Sequence, residues 1–147
     1  MKKETVGRGF RVPGFTTAGI FCGIKTNKQK DLALIFSEEP SVAAGLFTSN
    51  QVVSPTITWC QEILKSSKRF RAIVVNSGNA NACTGPKGME DCKSLASKLS
   101  QKLSVEPKEI LIASTGIIGV PLPINKIVKA LPALSSKLSP VGWISSA

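Results

Sequence analysis

The stretch Glu109–Pro123, EILIASTGIIGVPLP, passes from an apolar run straight into a small polar turn, and the other elements fall into place around it. Ile110, Leu111, Ile112 and Ala113 have the apolar, β-branched character of a buried strand. Ser114, Thr115 and Gly116 follow with no charged or bulky residue between them, which puts two hydroxyls and a bare backbone at a strand end. Gly116 permits a sharp turn and the close approach of a ligand; its N–H and the Thr115 hydroxyl are both hydrogen-bond donors. Such a pair suits a developing oxyanion. A turn in which Ser114 or Thr115 merely caps the next segment fits the same residues equally well.

A second run of this kind lies upstream. Ala72–Val75 reads as a central strand and enters Asn76–Gly88, NSGNANACTGPKG, where three Asn and three Gly fall within thirteen residues. Those residues supply left-handed backbone positions and side-chain amides to a loop at a strand end, where function concentrates. Phosphate-binding loops occupy the same place, but GxGxxG is absent and the glycines do not give GxxxxGK[ST], although Lys87 lies nearby. A loop that shapes a neighbouring pocket is the better reading. Met89, Cys92, Leu95, Ala96, Leu99 and Leu103 then mark one face of an amphipathic helix. A further helical pattern, Ile124, Ile127, Val128, Leu131 and Leu134, begins after Pro123.

Ahead of these units, Thr17–Ile24 and Leu32–Ser37 predict an antiparallel hairpin across a short polar linker. Glu38-Glu39-Pro40 reads as a break and Val42–Thr48 as a third strand, its small residues allowing another layer to approach. Thr58 is the candidate cap of a short helix carrying Trp59, Ile63 and Leu64. The order is three strands, helix, strand, helix, strand, helix, which predicts an α/β layered sandwich with a mixed sheet. The turns at Asn76–Gly85 and Ser114–Gly116 both end strands that lead into helices, so they are expected side by side at one sheet edge.

Composition sets the limits. The chain has 147 residues, 42% hydrophobic and 19% charged, as in an ordinary globular domain. No segment qualifies as transmembrane and the N-terminus lacks a signal-peptide core, so a cytoplasmic location without a membrane partner is expected. The net charge of +10 is scattered, with small clusters at Lys25, Lys28 and Lys30 and at Lys65, Lys68, Arg69 and Arg71. With no Tyr to interleave, a surface for stacking nucleic acid is poorly supported. There is no histidine, and Cys22, Cys60, Cys83 and Cys92 form no CxxC pair. The usual zinc spacings, the Ser/His/Asp triad and the Cys/His dyad are thereby removed, and the thiols read as free and mostly buried. The economical acyl-transfer device without histidine is an N-terminal Thr or Ser whose own amine is the base. Thr115 is internal and cannot fill that role, so the residues yield oxyanion donors and no nucleophile.

Five stretches together carry a resemblance: VPGFTTAGIFCGIK (Val12–Lys25), DLALI (Asp31–Ile35), AAGLFTSN (Ala43–Asn50), AIVVNSGNANACTG (Ala72–Gly85) and ASTGIIG (Ala113–Gly119). In this order they resemble the glutamate N-acetyltransferase/ornithine acetyltransferase family of arginine biosynthesis. The resemblance implies the αββα architecture of ornithine acetyltransferases and a precursor that cleaves itself before a threonine into α and β chains, assembled as α2β2. The new N-terminal threonine takes acetyl from N-acetylornithine, or in some members from acetyl-CoA, and passes it to glutamate without a cofactor or metal. Carried over, the oxyanion hole is the Thr115 hydroxyl and the Gly116 N–H. The nucleophile, cleavage site and substrate-binding threonines are expected beyond Ala147, which makes this chain the first part of an α chain and a single incomplete domain, inert alone. Apolar Val141, Trp143 and Ile144 close to the end fit that expectation, with Trp143 exposed. The competing class is a non-catalytic basic module that binds an anionic ligand or nucleic acid.

Overall fold

The computed structural model describes residues 11–143. Among them are four strands, β1 (Phe15–Ile20), β2 (Leu32–Ser41), β3 (Phe70–Asn79) and β4 (Ile110–Ile117), and three α-helices, α1 (Pro55–Ser66), α2 (Gly85–Leu103) and α3 (Ile124–Ser136). The sheet order is β1-β2-β3-β4; the first two pairings are antiparallel and β3-β4 is parallel. The expected mixed sheet is present. The single parallel pair follows from connectivity, because α2 carries the chain back over the sheet between β3 and β4.

Strand alternation divides the sheet into two unlike faces. Ala18, Ile20, Leu32, Leu34, Ala72, Val74, Ile110 and Ile112 are buried with Ile63, Cys92, Leu95, Leu99, Ile127 and Leu131 of the helices in one core. The pattern expected for α2 is the one that is buried: Cys92, Leu95, Ala96 and Leu99 face inward. On the opposite face, in register across β2, β3 and β4, lie Ala33, Val75 and Ala113, then Ile35, Ile73 and Leu111. These residues are half-buried or exposed. The helices therefore cover one face only.

Four expectations are corrected. Val42–Thr48 is not a strand: Val42 and Leu46 project into solvent at 90% and 103% exposure, and no strand pairs with the segment. β2 instead continues through the supposed break at Glu38-Glu39-Pro40 to Ser41, with a register shift between Phe36 and Ser41. Arg71 of β3 makes this possible, its guanidinium donating to the Ser37 and Glu38 carbonyls at 2.8 Å each. The cap of α1 is Ser54, with Pro55 in the first turn where its missing N–H costs nothing; Thr58 lies inside the helix. Trp143 is half-buried. Among the described residues no helix is long and apolar enough to cross a membrane, and all four cysteines are free.

Candidate active site

The two stretches singled out in the sequence meet. β3 and β4 pair in parallel with Asn76 opposite Ser114, Ser77 opposite Thr115 and Gly78 opposite Gly116, and the register slips at Asn79. Ser114–Gly116 is thus the last part of β4 rather than a turn after it, and Asn76–Asn79 belongs to β3. Both are corrections of element boundary, and both have one cause. Gly78 (φ +100°) and Gly116 (φ +136°) adopt backbone angles that other residues rarely reach, so the strands bend while still paired.

The bend brings backbone against backbone. A Cβ on Gly116 would lie 2.7 Å from the Gly78 Cα, and one on Gly78 would lie 2.9 Å from Ile24 Cγ2 and 3.1 Å from Lys25 Cγ. The segment Cys22–Lys25, Gly78 and Gly116 therefore pack as successive layers.

Each layer is fixed by hydrogen bonds. The Ser114 hydroxyl donates to Asn76 Oδ1 at 2.6 Å, and Asn76 Nδ2 donates to the Asn79 carbonyl at 2.8 Å. Asn79 Nδ2 reaches the Val120 and Pro121 carbonyls, while its Oδ1 accepts the Asn81 N–H. Asn81 spans the loop to the Gly88 carbonyl and accepts the Thr84 hydroxyl. Asn76, Asn79 and Asn81 are all buried, and their amides are used on the protein itself. The asparagine-rich stretch is a brace for the strand ends. Lys87, noted for its proximity to a possible phosphate loop, is paired with Asp91 one helical turn on.

Sequence reasoning missed Asp31. Its buried carboxylate accepts four backbone N–H groups, from Cys22 (2.6 Å), Gly23 (3.2 Å), Ile24 (2.7 Å) and Lys25 (2.9 Å). Burial pushes this carboxyl up, but the amides of Cys22, Lys25 and Ile24 outweigh it and hold the group below the usual aspartate range. The Asp31 carbonyl also accepts the Ser77 N–H at 2.9 Å, tying the loop to β3. Only the placement of a lone acid at the end of a basic linker, just before a strand, signalled it.

Thr115 and Gly116 are exposed, as are Ile117 and Ile118 beyond them. The first half of β4 has its outer edge covered: Trp59 Nε1 donates to the Ile110 carbonyl at 3.0 Å, and Cys60 Sγ bonds both the carbonyl and the N–H of Ile112. Ile117 on the other parity turns its carbonyl inward to the Ala80 N–H. Gly116 lies beyond the part of β4 that Trp59 and Cys60 cover.

The class of protein is now defined. This one-sided helix layer on a mixed sheet superposes on the crystal structure of the ornithine acetyltransferase of Mycobacterium tuberculosis, complexed with ornithine, with a TM-score of 0.87 and 38% identity over 92% of this chain and 74% of that one. It also matches the arginine biosynthesis bifunctional protein ArgJ of Bacillus halodurans, with a TM-score of 0.81 and 32% identity over 92% of this chain and 68% of that one.

The sequence pattern of the ArgJ family matches residues 16–147, and the chain belongs to that family. It is 46% identical to the arginine biosynthesis bifunctional protein ArgJ of Caldanaerobacter subterraneus subsp. tengcongensis over 91% of its own length, and 48% identical to ArgJ 1 of Clostridium acetobutylicum over 80%. It spans 33% of the first of these proteins and 28% of the second, about a third of the length of the curated relatives it matches.

Proposed function

We propose that this chain is the N-terminal part of the α chain of an acetyltransferase of arginine biosynthesis, acting in the cytoplasm, which moves acetyl from N-acetylornithine, or from acetyl-CoA, to glutamate. The observation that carries the reading is the bent end of β4, where Thr115 and Gly116 are exposed side by side on a braced backbone.

In this reading the nucleophile is the N-terminal threonine of a β chain released when the precursor cleaves itself. Its hydroxyl oxygen attacks the acetyl carbonyl carbon, its α-amine takes the hydroxyl proton, and the carbonyl oxygen becomes an anion between the Thr115 hydroxyl and the Gly116 N–H. Collapse expels the ornithine amine, which receives that proton, and leaves acetyl-threonine. The glutamate amine then attacks the ester through the same oxyanion, regenerating the threonine hydroxyl. Two preformed donors aimed at the developing charge supply transition-state stabilisation without reorganisation. The uncovered apolar face of the sheet, with Ile35, Ile73 and Leu111 in register, is where the second sheet of an αββα sandwich packs, in an α2β2 assembly.

The test is an intact mass on the product of the complete reading frame, followed by an acetyl-transfer assay. Two chains, the second beginning with Thr, together with transfer from N-acetylornithine to glutamate, are expected. A single uncleaved chain without transfer would overturn the reading.

A further inference from the structure

We propose that the loop Cys22–Lys25, held by Asp31, is a positioning element for the proposed oxyanion donor at Gly116. The role follows from a run of contacts. The Gly116 Cα lies against the Gly78 peptide, where a Cβ would come within 2.7 Å of the Gly78 Cα. Gly78 in turn lies against the loop, with Ile24 Cγ2 and Lys25 Cγ 2.9 and 3.1 Å from the position its own Cβ would take. Neither glycine has a side chain to take up slack, so a shift of the loop passes to Gly78 and from there to Gly116.

The strand end needs such a backing. Trp59 and Cys60 of α1 bond to β4 at Ile110 and Ile112, whereas Thr115–Ile118 are exposed. The Ser114–Asn76 and Asn79–Val120 bonds hold the flanks of Gly116 and Gly78, and the loop touches Gly78 itself. Asp31 ties both sides of that contact. Its buried carboxylate accepts the four N–H groups of residues 22–25, and its carbonyl accepts the N–H of Ser77, the residue before Gly78. Lys126 of α3 adds a third tie, donating to the Gly23 carbonyl at 2.8 Å. With its backbone groups engaged in this way the loop is set by the fold before any substrate arrives, which is what a donor that must not reorganise requires of its support.

The catalytic role of the loop rests on the acetyl-transfer reading; its mechanical coupling to the strand end does not. A donor displaced from the oxyanion loses transition-state stabilisation without weakening substrate binding, so the loss belongs in kcat and not in KM. A misplacement of about 1 Å, caused far from the reacting atoms, can cost about 10²-fold.

The experiment measures kcat, KM and amide hydrogen exchange on the complete reading-frame product and its variants. Ile24→Ala removes Cγ2 and is expected to lower kcat about tenfold with KM unchanged. It should also raise exchange of the amides of residues 115–119 about tenfold, while those of residues 95–99 in α2 stay as they are. Ile24→Val keeps Cγ2 and should restore both. Asp31→Asn should reproduce both changes, and the two Ile24 variants decide the matter if it does not fold. Leu103→Ala, which loses packing against the core at the end of α2, should leave kcat unchanged. Unaltered kcat and exchange in Ile24→Ala, a loss confined to KM, or an equal fall of kcat in Leu103→Ala would overturn the role. Absence of acetyl transfer in the parent, alongside Ile24-dependent exchange at residues 115–119, would sink only the acetyltransferase reading.

Discussion

Gly116 lies with its Cα against the Gly78 peptide, so that a Cβ built on it would stand 2.3 Å from the Gly78 carbonyl carbon and 2.4 Å from the Asn79 nitrogen. The obstacle is backbone, and no rotamer relieves it. Gly116→Ala is expected to lower stability by about 2 kcal/mol or more through overpacking and left-handed strain together. Gly119 offers the control, because it also has positive φ (+79°) but nothing within 4 Å of its Cβ position. Gly119→Ala should cost about 1 kcal/mol, the conformational part alone. Urea midpoints of the two variants in the complete protein separate the effects; equal losses would mean that the Gly78–Gly116 contact is not tight.

Thr115 tests the chemistry rather than the fold. Its side chain is exposed at the bent end of β4, so Thr115→Ala should leave stability within about 0.5 kcal/mol of the parent. Under the proposed mechanism it removes one of two oxyanion donors, and turnover should fall by about 10²-fold, corresponding to roughly 3 kcal/mol. Steady-state rates with N-acetylornithine and glutamate are the readout. Unchanged turnover would remove Thr115 from the oxyanion site.

The sequence made the core legible wherever burial imposed a period. Leu95 and Leu99 of α2, Ile127 and Leu131 of α3, and Ile110 and Ile112 of β4 were readable because an apolar residue must recur on the side facing the sheet. The meeting of the asparagine-rich stretch with Ser114–Gly116 was readable too, since both end strands that lead into helices. Val42–Thr48 misled for the converse reason: its apolar and small residues look like a strand, but Val42 and Leu46 stand in solvent and the segment pairs with no strand of the sheet. The Asp31 cradle was not legible. Four backbone N–H groups converge on it, and backbone groups leave no trace in residue type.

Asp31 should accordingly dominate the acid side of the stability profile. Its folded-state carboxyl titrates below the ordinary aspartate value, because the Cys22, Lys25 and Ile24 amides overcome the opposing effect of burial. A depressed carboxyl contributes stability that is fully present above the unfolded value near 3.9 and is lost as pH falls through the lower folded value. Asp31→Asn replaces acceptor-only oxygens with an amide that must present N–H to N–H, and is expected to destabilise by about 3 kcal/mol at pH 7. The gap between parent and variant should be constant from pH 7 to about 5 and shrink below 4. A gap independent of pH down to 2 would show that the carboxylate charge is not what holds residues 22–25.

The thiols offer a chemical test of the packing. The Cys22 thiol is pushed up to about 12 by burial, then by its hydrogen bond to Asp31 and the charge of that carboxylate; burial also pushes Cys92 to about 12 against the opposing Asn81 amide. Cys60 is raised by burial more than the Ile112 amide lowers it. Thiolate is the reacting form, so at pH 8 only about one part in ten thousand of a thiol titrating near 12 is reactive. Cys83 alone of the four is exposed, at the loop between β3 and α2. Among the four cysteines of this chain, a disulfide-exchange reagent should modify Cys83 within seconds to minutes at pH 8. The other three should react only after denaturation, as peptide mapping of the modified protein would show. Reaction of Cys92 at the rate of Cys83 would mean that the Asn81 brace opens readily, and the rigid backing assigned to the Gly78–Gly116 contact would fail with it.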